Sequence, residues 1–229
     1  SLHLRDIIPR KVIPLIERME TCQLTSQGTR ADSARNLTVT PSAGFDVDEL
    51  VDMRPQAKRL STRILRTRAL QGIPRKFNIS FDNGGRLSCV SDTNDIAFLA
   101  VKVEENTAGL EPGVYCRIAL GGITGHKDFA RDTGRVCAPE DTVDVAEAML
   151  RVFVEHGDRT NRKKARLKYL LEKEGVAWFL EKSQEKLDEF GSGVVMTPLA
   201  QAESRARAAI DRQGHIGVHP QKQDGLNYI

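Results

Sequence analysis

The sequence predicts an α+β fold, a mixed or antiparallel sheet with flanking helices, and three observations carry that prediction. Runs of period two at residues 76–81 and 86–91 and β-rich runs at 95–103 and 113–120 crowd the middle of the chain. Helical periodicity dominates residues 139–190, and Pro55 can open a largely polar helix towards Arg68. The two patterns are grouped instead of alternating strand by helix, which sets the chain apart from β/α folds.

Each element has a local cause. Pro14 precedes Leu15, Ile16 and Met19 and sits in a first helical turn, where its missing N–H costs nothing; this short helix should end before Thr25. Residues 23–40 are rich in Thr, Ser, Gly, Asn and Arg without either period, so they read as a long polar loop, and loops of that length tend to carry function. Asp46 with Glu49 resembles a capping arrangement for a short helix from Val47, and Pro55 restarts a second helix towards Arg68. Residues 76–81 and 86–91, joined by Asp82-Asn83-Gly84-Gly85, read as a β-hairpin. Residues 95–103 and 113–120 add two more strands, the second running into Gly121-Gly122, for a sheet of about four strands. Pro139-Glu140-Asp141 opens a helix with Val143, Ala146, Met149, Leu150 and Phe153 on one face and Gly157 as its stop. Further helices are expected over 162–173 and 176–190, separated by Gly175. Residues 191–214 hold few core-forming side chains and read as a connector, after which a new segment starts.

Composition limits the function classes. With 40% hydrophobic and 28% charged residues in 229, the chain is globular rather than disordered. A net charge of +3 is small for this length and argues for neither nucleic acid nor an anionic membrane as partner. No apolar run approaches the roughly 18 residues of a membrane span, and the N-terminus lacks the pattern of a signal peptide, so a cytoplasmic protein is expected. Cys22, Cys89, Cys116 and Cys137 lie far apart without a C-x-x-C pair, and His3, His215 and His219 show no ligand spacing. Reduced, structural cysteines and no metal ligands within this chain are therefore expected.

Two basic segments are candidates for chemistry, Arg35-Asn36 in the polar loop and Pro74-Arg75-Lys76-Phe77-Asn78 before the first strand. An arginine offers a planar fork to oxyanions, while a lysine is a compact charge that can also give up a proton. A site that binds a small oxyanion and protonates it needs both. Taken alone, such pairs are most often solvated surface charges. Alternation places Lys76 and Asn78 on one face and Phe77 and Ile79 on the other, so the polar groups share a side. Gly121-Gly122 is more often a turn than a cofactor loop, and the basic run from Asn161 to Lys168 is usually a solvated helix face.

In order along the chain, these segments resemble the sirohaem-dependent nitrite and sulfite reductase family. Ser1 to Arg5 resembles the stretch after its "TRQN" segment, and Asp32-Ser33-Ala34-Arg35-Asn36 its "DNVRN" loop. Pro74 to Asn78 resembles "LPRKFN", Leu120-Gly121-Gly122 its glycine pair, Asn161 to Arg166 its "NRxKxR" segment, and His219 to Leu226 its "HPQKQxGL" opening. Two departures stand out: Leu37-Thr38-Val39-Thr40-Pro41 replaces the family's "GCP" or "GNP", and His3 stands where glutamine is common.

The resemblance implies a fragment of a ferredoxin-nitrite reductase, or of its sulfite-reducing relative, or a non-catalytic binding module on the same scaffold. Residues 1–24 would finish a first ferredoxin-like domain, 25–190 would form a sirohaem-contacting domain, 191–212 a linker, and 213–229 would begin a second ferredoxin-like domain. Arg35 and Lys76 match positions facing the substrate anion, with Asn78 where sulfite reductases usually carry a second lysine. Arg5, Arg35, Asn36, Arg75, Lys76, Gly121, Gly122 and Arg162 match cofactor-binding positions. The implied cofactors are sirohaem and a [4Fe–4S] cluster whose ligands fall outside this fragment; the implied partners are nitrite or sulfite and reduced ferredoxin.

Overall fold

The structure is a computed structural model and describes residues 4–22, 24–25, 32–34, 36–207, 213 and 216–229. Helix α1 (Val12–Thr21) carries Pro14 in its first turn as expected and buries none of its side chains. The polar loop gives way to strand β1 (Asn36–Val39), where the β-branched Thr38 and Val39 suit a pleated surface. Helix α2 (Arg54–Arg66) turns Ala57, Leu60 and Ile64 inward. Strands β2 (Asn78–Asp82), β3 (Ile96–Val103), β4 (Gly113–Leu120) and β5 (Arg131–Cys137) follow. After them come α3 (Thr142–His156), α4 (Leu167–Glu174) and α5 (Val176–Glu189). The short strand β6 (Thr197–Pro198) and the pair β7 (His219–Pro220) and β8 (Asn227–Tyr228) complete the order.

The main sheet has six strands in sequential order, β1 to β6, rather than four. Strands β1, β2 and β3 run parallel, and β3 through β6 alternate antiparallel, so the sheet is mixed. Its helical face presents Ile79, Phe81, Ile96, Phe98, Cys116 and Ile118 to Leu60, Met149, Phe153, Phe179 and Leu187, forming one core. Helix α3 lies between α2 and α5 and contributes ten buried residues, which makes it the central helix.

Several local expectations fail for identifiable reasons. Residues 86–91 do not pair with β2, because β1 and β3 already occupy both of its edges. Asp82 instead accepts the Gly84 N–H at 3.1 Å and the Ser88 hydroxyl at 2.8 Å, which folds the chain back without a ladder. Asp46 caps no helix; its buried carboxylate accepts the N–H groups of Asp48 at 2.9 Å and Arg86 at 2.7 Å and pins two loops together. The helix expected over 162–173 begins only at Leu167, since Arg166 is extended there and its side chain is held elsewhere.

Residues 191–207, from the segment expected as a linker, contribute β6 and a strap across the sheet face away from the helices. Arg117 reaches from that face to the carbonyls of Leu199 at 3.0 Å and Ala200 at 3.1 Å. Lys102 and Arg205 exchange backbone hydrogen bonds at 2.8 and 2.9 Å. Arg207 then grips Asp82 with both terminal nitrogens, at 2.9 and 2.7 Å, and binds the Gly85 and Leu87 carbonyls. No helix among the described residues is long and apolar enough to cross a membrane.

The Asp82 side chain is fully buried, so removing its partner leaves an uncompensated charge in the interior. Arg207→Met is expected to cost about 3–5 kcal/mol of stability, read from urea unfolding. A loss below about 1 kcal/mol would mean that the strap does not close the sheet.

Candidate functional site

An open cleft of about 550 Å³ lies where β2 and β3 begin and β4 ends. Among the described residues lining it, five are arginine or lysine (Arg75, Lys76, Arg162, Lys163 and Arg166) and none is acidic. Asn78, Thr93, Thr124 and His126 supply further polar groups. A cleft lined by one sign of charge attracts and concentrates ions of the other.

Helix α3 positions the first wall. Gly157 closes α3 against Pro74: a Cβ there would meet the Phe153 carbonyl oxygen and Pro74 Cγ, each at 2.6 Å, so only glycine lets the chain pass so near. Phe77 is buried against Phe153 with ring centroids 5.1 Å apart, and its N–H donates to the Ser33 carbonyl at 3.2 Å. With Phe77 anchored inward, alternation turns Lys76 and Asn78 the other way, onto the cleft. Among the described residues Lys76 has no ion-pair or hydrogen-bond partner, which leaves its ammonium group available.

Asp95 ties the other walls to the first. Its carboxylate accepts Arg166 Nε at 3.0 Å and Nη2 at 2.6 Å, and also the Asn78 N–H at 2.9 Å. Its carbonyl accepts the Gly121 N–H at 2.9 Å. Burial pushes the Asp95 carboxyl up from its ordinary range, while the Arg166 guanidinium and the Asn78 N–H pull it down. Asp32 lies between Arg162, at 3.2 and 3.3 Å, and Arg75, at 3.8 Å, and links the polar loop to both.

Gly121 and Gly122 are buried behind the lining. A Cβ on Gly122 would meet Asp92 O at 2.4 Å and Asn94 O at 2.5 Å, so this glycine admits a close backbone crossing within the protein. The chain then turns through Thr124–His126 at the cleft rim, where the His126 ring Nδ1 meets the Tyr169 hydroxyl. Lys168 holds Asp128 of the same turn at 2.6 Å, drawing the Asp128 carboxyl below its ordinary range.

The structure thus brings Arg75, Lys76, Asn78 and Arg162 to one cleft. Asn36 sits one strand away, in register with Asn78. Arg5 is exposed in the irregular stretch before Pro9 and is not part of the lining. Arg35 lies outside the described residues. Sequence reasoning missed Asp95, which was read only as a strand residue, and the roles of Lys163, Arg166 and His126. The signal available was the acidic Asp95 at the head of an apolar strand, where an unpaired charge would be costly.

All four cysteines are free, and none lines this cleft. Cys116 and Cys137 lie opposite each other in β4 and β5, and burial pushes both thiols up. Among the described residues no three His, Cys, Asp or Glu side chains gather as a metal-holding group.

Fold and cleft together define a mixed-sheet α+β domain with a cationic cleft at one end of its sheet. Residues 30–190 match the model of the family described as nitrite and sulphite reductase 4Fe–4S domain, and the chain belongs to that family. It is 30% identical over its whole length to a ferredoxin–nitrite reductase of Leptolyngbya laminosa and 32% identical to one of Synechococcus elongatus, spanning 43% of each. An assimilatory ferredoxin-dependent nitrite reductase of Haloferax mediterranei is 29% identical over 93% of the chain, which spans 37% of that relative. The fold is similar to that of the Mycobacterium tuberculosis NirA protein, with a TM-score of 0.75 at 24% identity over 95% of this chain and 37% of the other.

Gly157→Ala is expected to lower stability by about 1–3 kcal/mol through overpacking against Pro74. Gly125, which has open space around its Cβ direction, provides the control. Its alanine variant should stay within about 0.5 kcal/mol of the parent in thermal unfolding, and equal effects of the two would remove α3 as the support of the first wall.

Proposed function

We propose that this chain forms one wall of the anion and sirohaem site in an assimilatory reductase that uses electrons from reduced ferredoxin to convert nitrite to ammonia. The observation carrying this reading is the convergence of Arg75, Lys76, Asn78 and Arg162 on one cleft with no carboxylate among its described lining residues. Sirohaem bears many carboxylates, and a rim of arginine and lysine is the donor set such a polyanion requires, so the residues present fit it. When bound, sirohaem supplies the iron to which the substrate anion is attached and the path by which electrons arrive.

This chain's own residues do the binding and the proton handling. Arg75 and Arg162 present planar forks to carboxylates, and Asp32 holds both in place beforehand. Lys76 draws in the anion and delivers a proton from Nζ to one of its oxygens. The Asn78 amide donates a hydrogen bond without adding charge, which favours singly charged nitrite over doubly charged sulfite. A [4Fe–4S] cluster ligated outside this chain and ferredoxin as donor complete the proposal, in which residues 25–190 are the sirohaem-contacting domain and 191–212 precede a second ferredoxin-like domain. A cytoplasmic setting accords with this chemistry. One observation favours sulfite as a second reading: Lys163 lines the same cleft and returns a positive charge that Asn78 does not supply.

The visible absorption spectrum of the intact protein tests the cofactor assignment, and a spectrum without the sirohaem signature overturns it. In the intact protein Lys76→Ala should cut turnover about a hundredfold or more while moving the melting temperature by only a few degrees. Parallel losses of rate and melting temperature would make Lys76 a structural residue. Asn78→Lys should shift the ratio of catalytic efficiencies towards sulfite, and an unchanged ratio would refute that role.

A further inference from the structure

Residues 53–81 contain no Asp or Glu, although the chain as a whole is close to balanced, with 34 Lys and Arg against 31 Asp and Glu. Some cations of this run are engaged within the fold. Arg54 is paired with Asp52 at 2.7 Å, Arg63 reaches Asp144 and Glu147, and Arg75 and Lys76 line the cleft. Lys58, Arg59, Arg66 and Arg68 are not: all four are exposed, and among the described residues none has an ion-pair partner.

Helical geometry gathers these side chains on one surface. Helix α2 turns Ala57, Leu60 and Ile64 to the core, and at about 3.6 residues per turn Lys58, Arg59 and Arg66 fall on the opposite face. As the crossover between the parallel strands β1 and β2, α2 runs against them, so its last turn and Arg68 lie at the end of the sheet where β2 begins, the end that holds the cleft. Arg159 extends the line there: it donates to the carbonyls of Gly72 at 2.8 Å and Val154 at 3.0 Å and meets no carboxylate among the described residues. A belt of uncompensated positive charge thus leads from the outside of α2 towards the mouth of the cleft.

The chemistry of the belt selects its partner. Residues 53–76 contain no Phe, Tyr or Trp on which a base would stack, and the apolar side of α2 is spent in the core, leaving none to enter a lipid surface. What remains is long-range attraction on a rigid support, which speeds encounter with an acidic protein and lets it leave again. A donor that brings electrons singly needs this, since it must dock and depart repeatedly for each nitrite reduced. We propose that the outer face of α2, with Arg68 and Arg159 at its cleft end, is the docking surface for an acidic protein that serves as the electron donor. At each visit the donor is oxidised and the reductase reduced by the same electron, with no bond made or broken. The partner's role as donor rests on the reductase reading; the charge of the belt does not.

The test uses the intact protein with its cofactors and compares two donors for nitrite reduction, reduced ferredoxin and reduced methyl viologen, a small cation that needs no docking surface. In the triple variant Lys58→Glu/Arg59→Glu/Arg66→Glu the KM for ferredoxin at low salt should rise about tenfold or more, while the rate with methyl viologen and the melting temperature stay at parent values. The neutral variant Lys58→Gln/Arg59→Gln/Arg66→Gln should show a smaller rise in the same direction. Added salt should raise the KM of the parent and leave that of the charge-reversed variant nearly flat. A parent-like KM for ferredoxin in either folded variant overturns the proposal, and so does an equal loss of methyl viologen activity, which would make the face a support of the fold. A parent that works with both donors beside variants indifferent to charge defeats this inference alone; a parent that reduces nitrite with neither donor defeats the reductase reading and the inference with it.

Discussion

The cleft depends on one buried carboxylate. Asp95 stands at the head of β3 and reaches the start of β2 through the Asn78 N–H, the end of β4 through Gly121, and the basic turn before α4 through Arg166. A lone carboxylate in that position would be expelled or protonated. Paired and hydrogen-bonded, it becomes the point from which three walls take their spacing. Placing it costs desolvation, and the geometry of the two-toothed contact with Arg166 offsets that cost.

Around this hub the packing is divided by face. The helical side is apolar, with α3 carrying Phe153 onto Phe77 and Gly157 onto Pro74, so the residues that flank Lys76 are held by hydrophobic contact. The opposite side is held by polar stitching from Arg117 and Arg207 to carbonyls and carboxylates. Lys76, without a partner among the described residues, is thus a cation on a well-packed support, which is how a protein keeps a charged group oriented without neutralising it.

Much of this was legible in the sequence. The strands at 78–82, 96–103 and 113–120 and the helices α2, α3 and α5 follow from local alternation, β-rich composition, proline starts and helical periodicity. Strand partners were not legible. Asp82-Asn83-Gly84-Gly85 carries every local mark of a hairpin, yet its groups are claimed by Arg207, which no window around residue 82 contains. The same holds for the cleft: Arg75, Lys76, Asn78 and Arg162 could be singled out by type and by resemblance, whereas Asp95 is joined to Arg166 across 71 positions. Short-range pattern reveals which side a residue faces; only closure of the chain reveals whom it meets.

The strap also sets an order of assembly. Among the described residues every strand from β1 to β5 and all the helices precede Arg207 in the chain, so Asp82 emerges from the ribosome long before its counter-ion. Until then a charge sits at the middle of a nascent sheet, and β2 cannot settle in its final dry environment. The dry setting of the central strands is therefore completed by a segment that sequence alone would class as a spacer, and the length of that segment decides whether Arg207 reaches Asp82.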